Sequence, residues 1–236
     1  MAKSSLLVRL TVSAALAGSA GALAYHQLAL KRVRRIPVPS NSILKTSPLN
    51  NAVQASTNLP HYFDCFLVTV RASSLKDWAS LRAQFDPASD EGRRALNDHI
   101  TTQFARSFFT SSLFSLERMV LTLAGFPRKV LTNDQTRQLA FQPGDDVPPF
   151  AVIERSGNEI LNSWAFQPRM GGLNWISAEF VPDQGDGVVL LRYGNACWVG
   201  ALDTKAVPME EDRLVTRVHR LYGRMLMDLA VRGLEA

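Results

Sequence analysis

Hydrophobic and polar positions change their pattern several times along the chain. Leu10 to Leu30 is an uninterrupted run of 21 uncharged residues rich in Ala, Gly and Leu. About 20 apolar residues at helical rise cross a bilayer core, so the run predicts a hydrophobic leader helix of spanning length. Ile36 to Leu59 breaks all periodicity with Pro37, Pro39 and Pro48 among Ser and Asn residues, the composition of a linker. Tyr62 to Val70 is aromatic and β-branched and predicts a first strand. Spacings of three and four then predict two or three helices between Ser73 and Phe126, through Leu75, Trp78, Leu81 and Phe85, then Ile100, Phe104 and Phe108, then Phe114, Leu116, Met119, Val120 and Leu123. Ser73 or Ser74 is placed to cap the first, Asp90 or Asn97 the next, and Gly125 with Pro127 to end the last.

From Val130 to Val207 short β-like runs alternate with turn signals such as Gln142-Pro143-Gly144-Asp145 and Ser156-Gly157-Asn158. Strands are expected at Ala151 to Glu154, Glu159 to Phe166, Asn174 to Val181 and Val188 to Val199, joined as an antiparallel meander. Glu210 to Leu234 reads as one amphipathic helix with Leu214, Val218, Leu221, Tyr222, Met225 and Leu229 along its apolar face. At about 37 Å it is long enough to lie across the sheet. The chain thus divides into a leader (1–35), a linker (36–57) and one α+β domain (58–236).

The net charge of +5 over 236 residues changes meaning once it is located. Seven of the 26 basic residues and none of the 21 acidic ones precede Asp64, so the body carries 19 basic against 21 acidic side chains. Nucleic-acid binding needs Lys and Arg clustered on the folded part, and no nucleic-acid partner is expected. Lys31, Arg32, Arg34 and Arg35 outnumber the basic groups ahead of the apolar run, which predicts a single-pass membrane protein with the domain on the cytosolic side. A cleaved secretory signal ending at Ala22-Leu23-Ala24 and a mitochondrial presequence remain open as alternatives.

Candidate chemistry is sparse. His61, His99 and His219 form no zinc-type ligand set, so no metal is expected. Cys65 and Cys197 lie far apart in predicted strands and read as buried free thiols. No phosphate-binding or serine-hydrolase motif occurs, and no cofactor is expected. Trp164, Trp175, Tyr193 and Trp198 fall in the meander, where they serve either a plain core or an apolar pocket. Arg192 interrupts a strongly apolar strand: facing inward it would hold an acidic or carbonyl group, and facing outward it is a solvated charge. Glu159 and Glu179 are available as its partner or as a base. His219 lies at the border of the closing helix's apolar face and Tyr222 within it, offering a pocket-edge acid–base pair or a boundary histidine.

Asp64 to Val70, Phe108-Phe109-Thr110-Ser111 with Leu113 to Phe126, Phe141-x-x-Gly144-Asp145-x-x-x-x-Phe150-x-Val152, Asn158-Glu159-Ile160-Leu161 and the His219-containing final helix together resemble the uncharacterised DUF2867 family. That family is similar to the START/Bet v 1-like (SRPBCC) helix-grip superfamily, and the likeness covers about Phe63 to Leu234. The chain departs from the pattern at Gly172-Leu173-Asn174-Trp175-Ile176 and in the added stretch Asp203 to Asp212. The resemblance implies an antiparallel sheet wrapped on a long C-terminal helix with a cavity between them. With the leader, it points to a protein that binds a hydrophobic small molecule of lipid, isoprenoid or polyketide type at a membrane, for which the residues of the meander offer Arg192, Trp164, Trp175, Tyr193 and Trp198; the oligomeric state is left open, a monomer being favoured. The alternative is a cyclase, isomerase or lyase in the same cavity, with His219, Tyr222 or Glu179 moving a proton. A third reading is an interaction module whose pocket is filled by its own side chains.

Overall fold

The computed structural model describes residues 30–51, 62–123, 131–166, 170–182, 185–199 and 213–235. The expected leader helix lies outside them apart from Leu30, as do the stop at Gly125 and Pro127 and the stretch 203–212. Among the described residues no helix is long and apolar enough to cross a membrane.

In chain order the elements are β1 (Arg34–Arg35), α1 (Ile43–Thr46), β2 (Tyr62–Arg71), α2 (Trp78–Phe85), α3 (Asp90–Thr110), α4 (Ser112–Leu123), α5 (Asn133–Gln138), β3 (Asp146–Val147), β4 (Phe150–Ser156), β5 (Glu159–Phe166), β6 (Met170–Val181), β7 (Val188–Val199) and α6 (Arg213–Leu234). The strands form one open antiparallel sheet in the order β1-β2-β7-β6-β5-β4-β3. The fold is therefore α+β, with the meander β4 to β7 consecutive and the early strand β2 inserted beside β7. α6 packs against β2 and α3 on one face of this sheet.

Two of the expected caps are replaced. Ser89, not Asp90 or Asn97, caps α3, its Oγ accepting from Gly92 N at 3.0 Å, while Asp90 and Glu91 in the first turn complement the helix dipole. α2 begins after Asp77 in a left-handed conformation, without a side-chain cap and without Ser73 or Ser74. Leu96, Ile100, Phe104 and Phe108 then recur every fourth residue on α3, all buried. Asn97 Oδ1 and Thr101 Oγ1 accept from Phe180 N at 2.6 Å and Ala178 N at 3.1 Å, pinning the helix to β6. α3 and α6 cross closely: Ser107 Oγ donates to Ala230 O at 2.7 Å, and a Cβ on Gly233 would come within 2.0 Å of the same Oγ.

The segment expected as the end of the leader and a linker is part of the fold as far as residue 51. Its prolines and serines shape a non-periodic path whose apolar side chains, the exposed Leu49 apart, find cover. Leu30 and Val33 join the main core, while Ile36, Val38, Ile43 and Leu44 cover Cys65, Leu161, Leu173, Trp175 and Ala196 on the other face of the sheet. Ile43 N donates to Glu159 Oε2 at 2.7 Å. Gly194 permits the approach, since a Cβ there would sit 2.8 Å from Trp175 and 2.9 Å from Leu44.

The apolar face assigned to α6 also differs from the expectation. Leu226, Met227, Ala230 and Val231 are buried, but Leu214, Val218 and Leu221 in its first half are exposed. Period alone identifies a stripe; which side the neighbouring elements cover is a tertiary matter.

Candidate functional site

Between the sheet, α3, α4 and α6 lies a cavity of about 250 Å³. Phe108 of α3, Phe114 of α4, Phe150 of β4, Trp164 of β5 and Leu226 of α6 give it an apolar wall. Asn174, Tyr193 and Asn195 rise from the sheet, and Glu117, His219 and Tyr222 come down from the helices. The space is amphipathic, with polar groups gathered opposite the aromatic wall.

The polar floor belongs to a row that crosses four strands. Asp64 of β2 pairs in register with Asn195 of β7, Asn195 with Asn174 of β6, and Asn174 with Asn162 of β5. Registered partners share a face, and this one faces the helices, because Phe66, Tyr193, Ile176 and Ile160 two positions away all lie in the helix-facing core. All four polar residues are buried. Asp64 is held by Arg35, with Arg220 Nε 3.4 Å from its second oxygen. Asn162 Nδ2 donates to Asn174 O at 3.4 Å, and Cys197 Sγ lies 3.2 Å from Asn195 Oδ1. Oδ1 of Asn162 and Oδ1 of Asn174 are buried with no hydrogen-bond partner. Each such group costs about 1–3 kcal/mol, a cost that a ligand donor in the cavity would remove at Asn174.

On the helical side, the Tyr222 hydroxyl donates to the Glu117 carboxylate. Burial pushes Glu117 above its ordinary value, the Tyr222 hydrogen bond working the other way. The Tyr222 phenol is pushed far up by burial and then by the Glu117 charge. His219 is held below its usual value by burial, its imidazole at the edge of the Tyr62 ring with centroids 5.4 Å apart. Tyr193 is raised by burial and packs on Phe108 at 4.8 Å and Phe66 at 6.1 Å. Burial thus works against the charged forms of Glu117, Tyr193, Tyr222 and His219 alike.

His219, Tyr222, Tyr193 and Trp164, expected as site residues, converge on this cavity. Arg192, Glu179 and Trp175 do not. Strand alternation puts Arg192 on the far face of β7, where its guanidinium meets Glu179 Oε2 at 2.7 Å, a half-exposed ion pair. Arg192 thus faces away from the cavity, but it is not the solvated charge of the outward reading: its side chain is 18% exposed on a central strand and Glu179 is its partner. Trp175 is buried on that face against α1. Trp198 pairs through its backbone with Gly171; its side chain lies outside the described residues. Cys65 and Cys197 are free and buried, burial raising both thiols to about 12.

The sequence reading missed Glu117, Asn174, Asn195 and the rest of the row. A signal was present, because each polar row member interrupts an apolar strand run: Tyr-Phe-Asp64-Cys-Phe, Ile-Leu-Asn162-Ser-Trp, Leu-Asn174-Trp-Ile and Tyr-Gly-Asn195-Ala-Cys. Among the described residues no group of three or more His, Cys, Asp or Glu side chains is placed to hold a metal ion. Comparison with protein-family models, curated proteins and solved structures found no match for the chain.

Proposed function

We propose that this protein binds a compact, largely apolar small molecule in the cavity between the sheet and its closing helix, in the manner of the helix-grip superfamily that its sequence resembles. One observation carries the reading: a cavity walled by aromatic rings has a buried polar floor in which Asn174 Oδ1 has no protein partner. A plain core would place an aliphatic side chain there. The ligand's apolar body lies among Phe108, Phe114, Phe150 and Trp164, and its polar end meets Asn174, Asn195, Glu117 and Tyr222. A cavity of roughly 150 Å³ holds benzene, so 250 Å³ admits about ten heavy atoms. An isoprenoid or a small aromatic compound of polyketide type fits; a diacyl lipid does not. The Leu10 to Leu30 run holds the domain at a membrane, in keeping with the charge distribution.

The test uses the full chain in detergent and saturation-transfer NMR with 2-naphthol, a hydroxylated bicyclic probe of matching size. Wild type is expected to transfer saturation to the probe, and Asn174→Leu to weaken binding by about tenfold or more without lowering the melting temperature. Equal binding by both proteins, or none by wild type, overturns the proposal.

The paired Glu117 and Tyr222 beside His219 favour a second reading, an isomerase, cyclase or lyase in which Glu117 in place of Glu179 moves the proton. Turnover of a bound compound that ceases in Glu117→Gln while binding persists would establish it over simple binding.

A further inference from the structure

The two helices that line the cavity carry apolar side chains on their outer faces as well. At 100° per residue, Phe114, Glu117 and Arg118 of α4 point inward, and Leu116, Met119, Val120 and Leu123 project from the opposite side. On α6 the buried Gly223, Leu226 and Met227 likewise lie opposite Val218 and Leu221. These six outward residues range in exposure from 38% at Leu221 to 82% at Leu123. The Tyr222–Glu117 hydrogen bond ties the helices together at the level of Leu221 and Val120, so the two apolar faces lie side by side. A helix apolar on both sides is covered on both sides in its working state.

We propose that this α4/α6 face docks on the surface of an anionic lipid bilayer. Charge and chain path both select that occupant. Arg217 of α6 is exposed at the border of the stripe and Arg224 lies next to it, α6 has no acidic residue before Asp228, and Lys31 is exposed where the chain meets the helix; Arg220 turns inward to the buried Asp64. An exposed apolar stripe flanked by basic side chains is the pattern of helices that lie in a membrane interface. The uncharged run of spanning length joins the fold at this point: Leu30 is buried, and its carbonyl accepts from Arg224 of α6 at 2.6 Å. A bilayer that holds the uncharged run ahead of Leu30 therefore meets α6 first. A second copy fits less well, since two-fold pairing of this face would bring like-charged arginines together. The proposal does not depend on what the cavity binds.

The experiment labels the full chain with an environment-sensitive fluorophore at Val120→Cys or Val218→Cys, the native thiols being buried, with Ser80→Cys on α2 as the reference. Protein is reconstituted in phosphatidylcholine vesicles with and without phosphatidylserine, some carrying doxyl-labelled acyl chains. Labels at 120 and 218 should be quenched about threefold more than the label at 80, and less when phosphatidylserine is omitted. Equal quenching at all three positions in vesicle-bound protein overturns the proposal. So does a blue-shifted label without vesicles, which if it fades on dilution identifies a second copy and if it persists identifies the chain's own apolar run as the cover.

Discussion

Asn174 shows how one side chain records a conflict between folding and use. It sits between Leu173 and Trp175 in the centre of the sheet, where an aliphatic residue would bury more surface and leave nothing unpaired. The stability of Asn174→Leu should therefore equal or exceed that of wild type even though its binding falls; a lower melting temperature would mean that the amide is structural. Glu117 poses the same conflict in its pH dependence. Because burial raises it, the folded chain binds the proton more readily than the unfolded one, so its contribution is complete below about pH 4.5, its ordinary value, and lost as pH rises through the folded value. Glu117→Gln keeps an acceptor for Tyr222 and removes that loss. Thermal unfolding from pH 4 to 8 should show the variant more stable than wild type at pH 7, with the gap closing toward pH 4. A constant gap would show that the carboxyl is not the group responsible.

Among the elements, α6 decides most. Its turn at Gly223 lies against β2 so closely that an added Cβ would stand 2.7 Å from the ring of Phe66, a buried residue stacked on Tyr193. Ala gains ~1 kcal/mol over Gly within a helix, but overpacking a fixed ring costs about 1–3 kcal/mol. Gly223→Ala is expected to lower the urea midpoint of unfolding, and an unchanged or higher midpoint would mean that the helix shifts freely on the sheet. The element was legible in the sequence to within three residues at its start, because its period is a local property. Which face it buries was legible only in part: Tyr222 and Met225 of the periodic stripe pack on the core, yet Leu214, Val218 and Leu221 are exposed, because α4 and the sheet cover the side carrying Thr216, Gly223 and Leu226. The strands Glu159–Phe166 and Val188–Val199 match their expected limits, since turn residues at Ser156-Gly157-Asn158 and Gly185-Asp186-Gly187 bound them chemically. The helix Asn133–Gln138 was unforeseen within a stretch expected to be β-like; its signal was a capping box, with Thr132 and Gln135 bonded reciprocally.

For the whole molecule, the consequence is a sheet covered on both sides. Residues 30–51 supply the second cover, burying Ile43 and Leu44 against Leu161, Leu173 and Trp175. A chain beginning at residue 30 should melt with the full-length protein, whereas one beginning at residue 52 should melt lower by about 10 °C or more and bind hydrophobic dyes. Equal melting of the two would show that this cover is dispensable. Composition pointed the other way because Pro, Ser and Asn describe a segment without regular hydrogen bonding, and such a segment can still pack if its few apolar residues meet a partner.

The sequence by itself determined the α+β class, the antiparallel meander, the closing helix and the segregation of positive charge ahead of Asp64, all of which are set by neighbours within a few residues. It also marked Trp164, Tyr193, His219 and Tyr222, which share the cavity. Only the tertiary structure decided that Arg192 and Glu179 neutralise each other on the far face. It alone brought Asp64, Asn162, Asn174 and Asn195 into one row under Glu117 and Tyr222. Those decisions rest on strand register and on which face each helix covers. Both are fixed by contacts between residues far apart in the chain, 135 positions for Tyr62 and Cys197, for which no local period carries a signal.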